Sequence, residues 1–70
     1  MVETRNLYFI NSRGEYRLLK ENITEADVFI TIAEFLKEHN YKSYYIRTWG
    51  TDGGVMYDVG SHTEFFLWGR

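Results

Sequence analysis

Thr24-Glu-Ala-Asp-Val-Phe-Ile-Thr-Ile-Ala-Glu-Phe-Leu-Lys-Glu-His-Asn40 carries start and stop signals for a helix at both of its ends. Thr24 stands where an N-cap belongs, and Asp27 at the third helical position gives a weaker form of the capping box. Ile23 before the cap and Val28 at the fourth helical position supply the two halves of a hydrophobic staple. Glu25 and Asp27 place negative charge in the first turn, where the helix dipole favours it. Lys37 and His39 fall in the last turn, and Asn40 suits a left-handed terminator. The expected helix is therefore 25–39. Its apolar arc is wide: Ala26, Phe29, Ala33 and Leu36 form one stripe, Val28, Ile32 and Phe35 a second, and Ile30 lies off both. An arc that broad packs on a sheet, or shares part of its surface with another subunit.

Working outward toward the N-terminus, Leu7-Tyr-Phe-Ile10 and Glu15-Tyr-Arg-Leu-Leu-Lys20 are two β-favouring runs around Asn11-Ser-Arg-Gly14, which is turn chemistry. They read as a hairpin, with Tyr16 and Leu18 on one face and Arg17 and Leu19 on the other. Toward the C-terminus, Tyr41 to Trp49 reads as a long strand. Gly50-Thr-Asp-Gly-Gly54 reads as a hairpin turn with positive φ at its central residues, and Val55 to Val59 as the returning strand. Gly60-Ser-His-Thr63 is a second turn, and Glu64-Phe-Phe-Leu-Trp68 is apolar enough for a last strand. The order ββαββ(β) predicts an α+β domain, one helix packed on an antiparallel sheet, over residues 1–70 as a single unit.

A 70-residue chain has a small core and needs help to be stable. It has no cysteine, which removes disulfides and thiolate metal sites, and two histidines leave little for a metal cage. Oligomerisation is the remaining aid, and a homodimer or a complex with a partner is expected. Six Tyr, five Phe and two Trp are hard to hide in so short a chain, since each ring brings roughly 150–250 Å². Some rings belong on a surface that meets a partner. The net charge of −2, with eight Lys and Arg spread without a run, argues against duplex nucleic acid. No stretch has the length of a membrane span, and Met-Val-Glu-Thr-Arg5 lacks the pattern of a signal peptide. A soluble, cytoplasmic protein is the expectation.

The chemistry-bearing residues gather in the last third. Asp58, Ser61 and His62 do not make a nucleophilic triad, because adjacent Ser61 and His62 point to different sides of an extended chain. Asp58, His62 and Glu64 are three donors in seven residues, a spacing too permissive to imply a cation. Gly50, Gly53, Gly54 and Gly60 lie between strands, so they lack the helix N-terminus that phosphate-cradling glycines lead into. No cofactor, metal or catalytic residue is implied. Tyr44, Tyr45, Tyr57, Phe65, Phe66 and Trp68 with Arg47 are the material of an aromatic platform. Alternation puts Tyr44 and Ile46 on one side of the sheet and Tyr45, Arg47 and Trp49 on the other.

Tyr57-Asp-Val-Gly-Ser-His-Thr-Glu-Phe-Phe-Leu-Trp68 resembles the C-terminal signature of a group of small uncharacterised proteins of bacteriophages and prophages of Gram-positive bacteria. The preceding Trp49-Gly hairpin is a looser echo, and the N-terminal half adds nothing to the match. The resemblance implies a short protein made in an infected or lysogenic bacterial host, where proteins of this size often bind and block host proteins. The expected function is a protein-binding module that inhibits a host defence protein by surface occlusion. The expected contact residues are Tyr45, Arg47, Trp49, Asp52, His62, Phe66 and Trp68. The alternative is an oligomeric binder of a small nucleotide or of single-stranded nucleic acid, with Arg47, Tyr45 and His62 as contacts.

Overall fold

The computed structural model describes residues 3–39, 46–60 and 63–69. Its elements follow the order ββαβββ: β1 (Thr4–Ile10), β2 (Tyr16–Thr24), α1 (Glu25–Glu38), β3 (Arg47–Thr51), β4 (Gly54–Asp58) and β5 (Phe65–Gly69). The strands form one sheet in the order β2-β1-β5-β4-β3, and every neighbouring pair is antiparallel. The sheet thus consists of two hairpins joined by the C-terminal strand, which enters between β1 and β4. The α+β expectation holds, and the last apolar run is a strand at the centre of the sheet.

Local chemistry builds the first hairpin. Asn11 Oδ1 accepts hydrogen bonds from the backbone N–H groups of Arg13 (2.9 Å) and Glu15 (3.0 Å), and Gly14 takes φ 82°. The Gly14 N–H donates to the Asn11 carbonyl at 2.9 Å, and the Asn11 N–H to the Glu15 carbonyl at 3.0 Å. A tight turn followed by one left-handed residue closes the loop, as three-residue hairpins do. Register shifts between Arg5, Leu7 and Tyr8 mark bulges against β2. Near them Asn22 adopts φ 54° and donates its N–H to Asn6 Oδ1 at 3.2 Å. Asparagine tolerates that left-handed conformation better than most residues.

Thr24 precedes the helix as expected, but its side chain makes no capping bond; it is the last residue of β2, opposite Thr4. The helix buries Val28, Ile32 and Leu36, with Phe35 half-buried beside them. The expected second stripe plus Leu36 is therefore the packed face. Ala26, Phe29 and Ile30 are exposed. The helix stops at Glu38, one residue short of the expected end, and His39 caps it: its N–H donates to the Phe35 carbonyl at 3.1 Å, and its ring stacks on Phe35 at 4.1 Å. The proposed terminator Asn40 lies outside the described residues.

Under the helix sit Leu7, Tyr57, Val59, Phe66 and Trp68, all buried, with Phe9, Leu19, Ile23, Ile46 and Val55 packed at their margin. Phe9, Phe35 and Phe66 form a mutual ring cluster with centroid separations of 4.8, 5.4 and 5.3 Å. Trp68 donates its indole N–H to the Ile23 carbonyl at 3.0 Å, tying β5 to the end of β2 just before the helix. The Arg5 guanidinium lies over the Trp68 ring at 4.9 Å and pairs with Glu3 at 2.6 Å.

Candidate functional site

The ladder registers fix which side chains share a face. Two rows point toward the helix. One runs Arg17, Phe9, Phe66, Tyr57, Thr48 across the five strands; the other joins Leu7, Trp68, Val55 and Gly50. Two further rows point away. The first is Tyr16, Ile10, Phe65, Asp58, Arg47, and the second is Leu18, Tyr8, Leu67, Met56, Trp49. On this open face the second row is apolar from edge to edge, and the first is apolar as far as Phe65 and ends in Asp58 and Arg47. Tyr16, Leu18 and Trp49 are 60, 45 and 43% exposed, and Tyr8, Met56, Phe65 and Leu67 are half-buried between them. Edge-on ring contacts at 6.2 Å, Tyr8 with Tyr16 and Trp49 with Phe65, knit the two rows together. Antiparallel sheets with one solvated face ordinarily alternate apolar and polar residues, and here the outer face keeps the apolar half. No helix or strand among the described residues lies over it, although Ile10 and Asp58 within it are buried at 7 and 4% exposure.

One ion pair closes a corner of this face. Arg47 Nη2 donates to Asp58 Oδ2 at 2.6 Å, and Asp58 Oδ1 accepts the Gly60 N–H at 3.0 Å. The Asp58 side chain is buried while Arg47 stays two-thirds exposed. A buried carboxylate needs such partners, and the Arg47 guanidinium and the Gly60 N–H supply them here.

A third row, Asn6, Gly69, Gly54, Thr51, ends the ladder. Its two glycines are required by close backbone approach. A Cβ on Gly54, where φ is 147°, would stand 2.2 Å from the Trp68 carbonyl oxygen, and one on Gly69 would stand 2.1 Å from that of Gly53. The positive φ therefore falls on Gly54; the central turn residues Asp52 and Gly53 do not have it, which corrects the expected turn type. The turn is two residues long because β3 continues through Thr51. Beside this seam lies a shallow cleft of about 750 Å³, lined by polar residues that include Glu3, Arg5, Asn6, Asn22, Thr51 and Asp52.

The residues expected from sequence fall into three groups. Arg47 and Trp49 lie together on the open face, and Asp52 sits at the hairpin tip beside the cleft. Phe66 and Trp68 are corrections: at 1 and 4% exposure they belong to the core beneath the helix, because β5 turns its even-numbered residues inward. Tyr45 and His62 lie outside the described residues, as do Tyr44 and Ser61. Tyr57, another of the expected platform residues, is buried in the core with Phe66. Tyr8, Met56 and Leu67 join the open face beyond the expected residues, and Phe65, expected in an aromatic platform, lies on it too. Counting back from the Asp52-Gly53 turn finds Met56 opposite Trp49 and Asp58 opposite Arg47. The side taken by Phe65 and Leu67 depends on a long-range register.

Tyr57 is the one buried side chain whose polar atom lacks a hydrogen-bond partner among the described residues. Its ring meets Phe29 edge-on at 5.6 Å, and burial, with the nearby Glu25 carboxylate, pushes its phenol up to about 12. It stays neutral throughout the physiological range, so it offers no acid–base chemistry there.

No protein-family model, curated protein or solved structure matches the chain. No helix among the described residues is long and apolar enough to cross a membrane, and no cluster of potential metal ligands occurs among them.

Proposed function

We propose that this chain is a protein-binding module that works by surface occlusion, with the open sheet face as its docking surface. One observation carries the reading: Leu18, Tyr8, Leu67, Met56 and Trp49 form an unbroken apolar row across all five strands, outside the core. Side chains of this size bury roughly 150–250 Å² each, so the exposed fractions of Tyr16, Leu18 and Trp49 alone leave on the order of 300 Å². With the half-buried residues between them, this is the scale of the largest apolar patch on a typical monomer, which is often functional. Exposed Trp49 beside Arg47 at one edge, and exposed Tyr16 at the other, are also of the residue types that dominate interface hot spots. The resemblance of residues 57–68 to small phage proteins supplies the context in which the occluded partner is a host protein and the effect is inhibition.

The nucleotide reading has less support. Arg47 is engaged by Asp58, and the cleft at the hairpin sets Asp52 and Glu3 against Arg5, so it lacks the surplus positive charge that phosphate needs.

The test is capture from a Gram-positive bacterial lysate with three baits: the wild-type chain, Trp49→Ala, and Ile30→Lys on the exposed side of the helix. The expected result is a protein held by wild type and Ile30→Lys and lost with Trp49→Ala. Capture that ignores Trp49 and disappears with Ile30→Lys would move the docking surface to the helix and sink this reading, as would the absence of any captured protein.

A further inference from the structure

We infer that in the free protein the open face is covered by a second copy of this chain, packed sheet to sheet about a twofold axis running along β5. The inference rests on the reading of that face as a protein-docking surface, and it names the resident occupant that a foreign partner would displace.

Four observations point to self-association. First, the apolar rows are centred on the middle strand. β5 presents Phe65 and Leu67 at the centre, and apolar side chains continue outward on both sides to Tyr16 and Leu18 at one edge and Trp49 at the other. A surface that meets its own copy must be self-complementary, and a patch centred on the middle strand satisfies that more readily than an eccentric one.

Second, a twofold axis along β5 lays the β2 edge of one copy over the β3 edge of the other. The bulky Trp49 then faces the smaller Leu18, and the Tyr16 hydroxyl faces the Arg47 guanidinium. Large lies against small across the gap of about 10 Å that separates packed sheets.

Third, the charges tolerate the arrangement. The charged side chains in the two outward rows are Arg47 and Asp58, and they neutralise one another at 2.6 Å. The same axis keeps the two Arg47 residues four strand spacings apart, about 19 Å, which exceeds the screening length of about 8–10 Å at ordinary salt. A twofold axis running across the strands would instead set both Arg47 at the same edge, close together.

Fourth, size favours the dimer. Two such faces together bury on the order of 1,000 Å², near the lower bound for a specific interface and in the range of a reversible one. An 8.4 kDa chain without cysteine, and with no metal cluster among its described residues, gains by it. The product is a sandwich of two five-stranded sheets with the helices outside, each with Ile30 turned to solvent.

Sedimentation equilibrium over a micromolar to near-millimolar series tests the inference. The wild-type chain should rise toward twice its 8.4 kDa mass, with a blue shift in tryptophan emission as Trp49 is covered. Leu67→Lys places two like charges at the axis and should abolish the dimer. Trp49→Ala, at an exposed edge position, should raise the dissociation constant at least about tenfold while the far-UV circular dichroism of the monomer is unchanged. Ile30→Lys should leave it unchanged.

A wild-type chain that stays monomeric throughout overturns the inference. So does a dimer that persists in both open-face variants or dissociates with Ile30→Lys. Monomeric wild type with Trp49-dependent capture of a host protein would remove the second copy and keep the docking surface. A Trp49-dependent dimer that captures nothing would keep the second copy and remove the host partner.

Discussion

Phe65 and Phe66 are neighbours on one strand with the same side chain, yet they live in different solvents. Phe66 lies at 1% exposure among Phe9, Phe35 and Tyr57, under the helix. Phe65 points the other way, half-buried against Trp49, on a face that nothing described in the monomer covers. The same contrast runs through Trp68 and Leu67, and through Tyr57 and Met56. Apolar content alone therefore does not define a core. The helix does, because it excludes water from one side of a sheet that is apolar on both. What is left on the other side is apolar surface that the helix does not cover.

The largest expected effect tests that contrast directly. Phe66→Ala removes a fully packed ring and should cost about 3–5 kcal/mol, as much as a small domain has to lose. Phe65→Ala, measured in dilute solution, should cost only about 1 kcal/mol. Urea denaturation of the two variants side by side decides it. If Phe65→Ala proved as damaging as Phe66→Ala at high dilution, the outer face would have to be covered within the monomer.

A smaller effect sharpens the account of the seam that holds the two hairpins in register. Gly54→Ala forces a Cβ to within 2.2 Å of the Trp68 carbonyl oxygen at a φ of 147°, and should cost about 2–3 kcal/mol. Gly53→Ala, one residue away, meets nothing within 4 Å and has no positive φ, so it should be neutral or slightly stabilising. Equal effects in thermal melts would mean that β4 and β5 do not meet as closely as described.

The sequence made the helix and both hairpins legible because their signals are local. Acidic residues at 25 and 27, Asn11 with Gly14, and Asp52-Gly53 each act within a few positions of themselves. The place of β5 between β1 and β4 was not legible, because it joins residues some sixty positions apart. That gap explains the misassigned contacts. Glu64-Phe-Phe-Leu-Trp68 has no apolar–polar alternation, so nothing in it says which residues turn inward, and a one-residue slip exchanges the faces. Phe66 and Trp68 lie on the inward side of β5, buried in the core, where the expectation had them as contact residues. Arg47 and Trp49 lie on the expected side of the sheet, opposite to Ile46, because these residues do alternate. The ion pair of Arg47 with Asp58 follows from a two-residue turn at Asp52-Gly53 and was within reach of counting.

The smallest effect concerns the one imperfection inside the core. The Tyr57 hydroxyl is buried and unpartnered among the described residues, so Tyr57→Phe should change stability at neutral pH by less than about 1 kcal/mol, in the stabilising direction. Alkaline pH makes the same pair of proteins more informative. The Tyr57 phenol is raised to about 12 in the folded state, against 10.0 for the free group. The folded chain therefore holds this proton more tightly than the unfolded one. Its contribution is constant below pH 10, falls as the unfolded phenol ionises, and is fully lost once pH passes about 12. A two-unit shift bounds the loss at about 2.7 kcal/mol. Lysines and the other tyrosines titrate over the same range in both proteins, so the difference between wild type and Tyr57→Phe isolates this residue. The difference should be flat from pH 7 to 10 and then widen against wild type. A flat difference up to pH 12 would mean that Tyr57 ionises freely in the folded protein, and that the inner face is wetter than its packing implies.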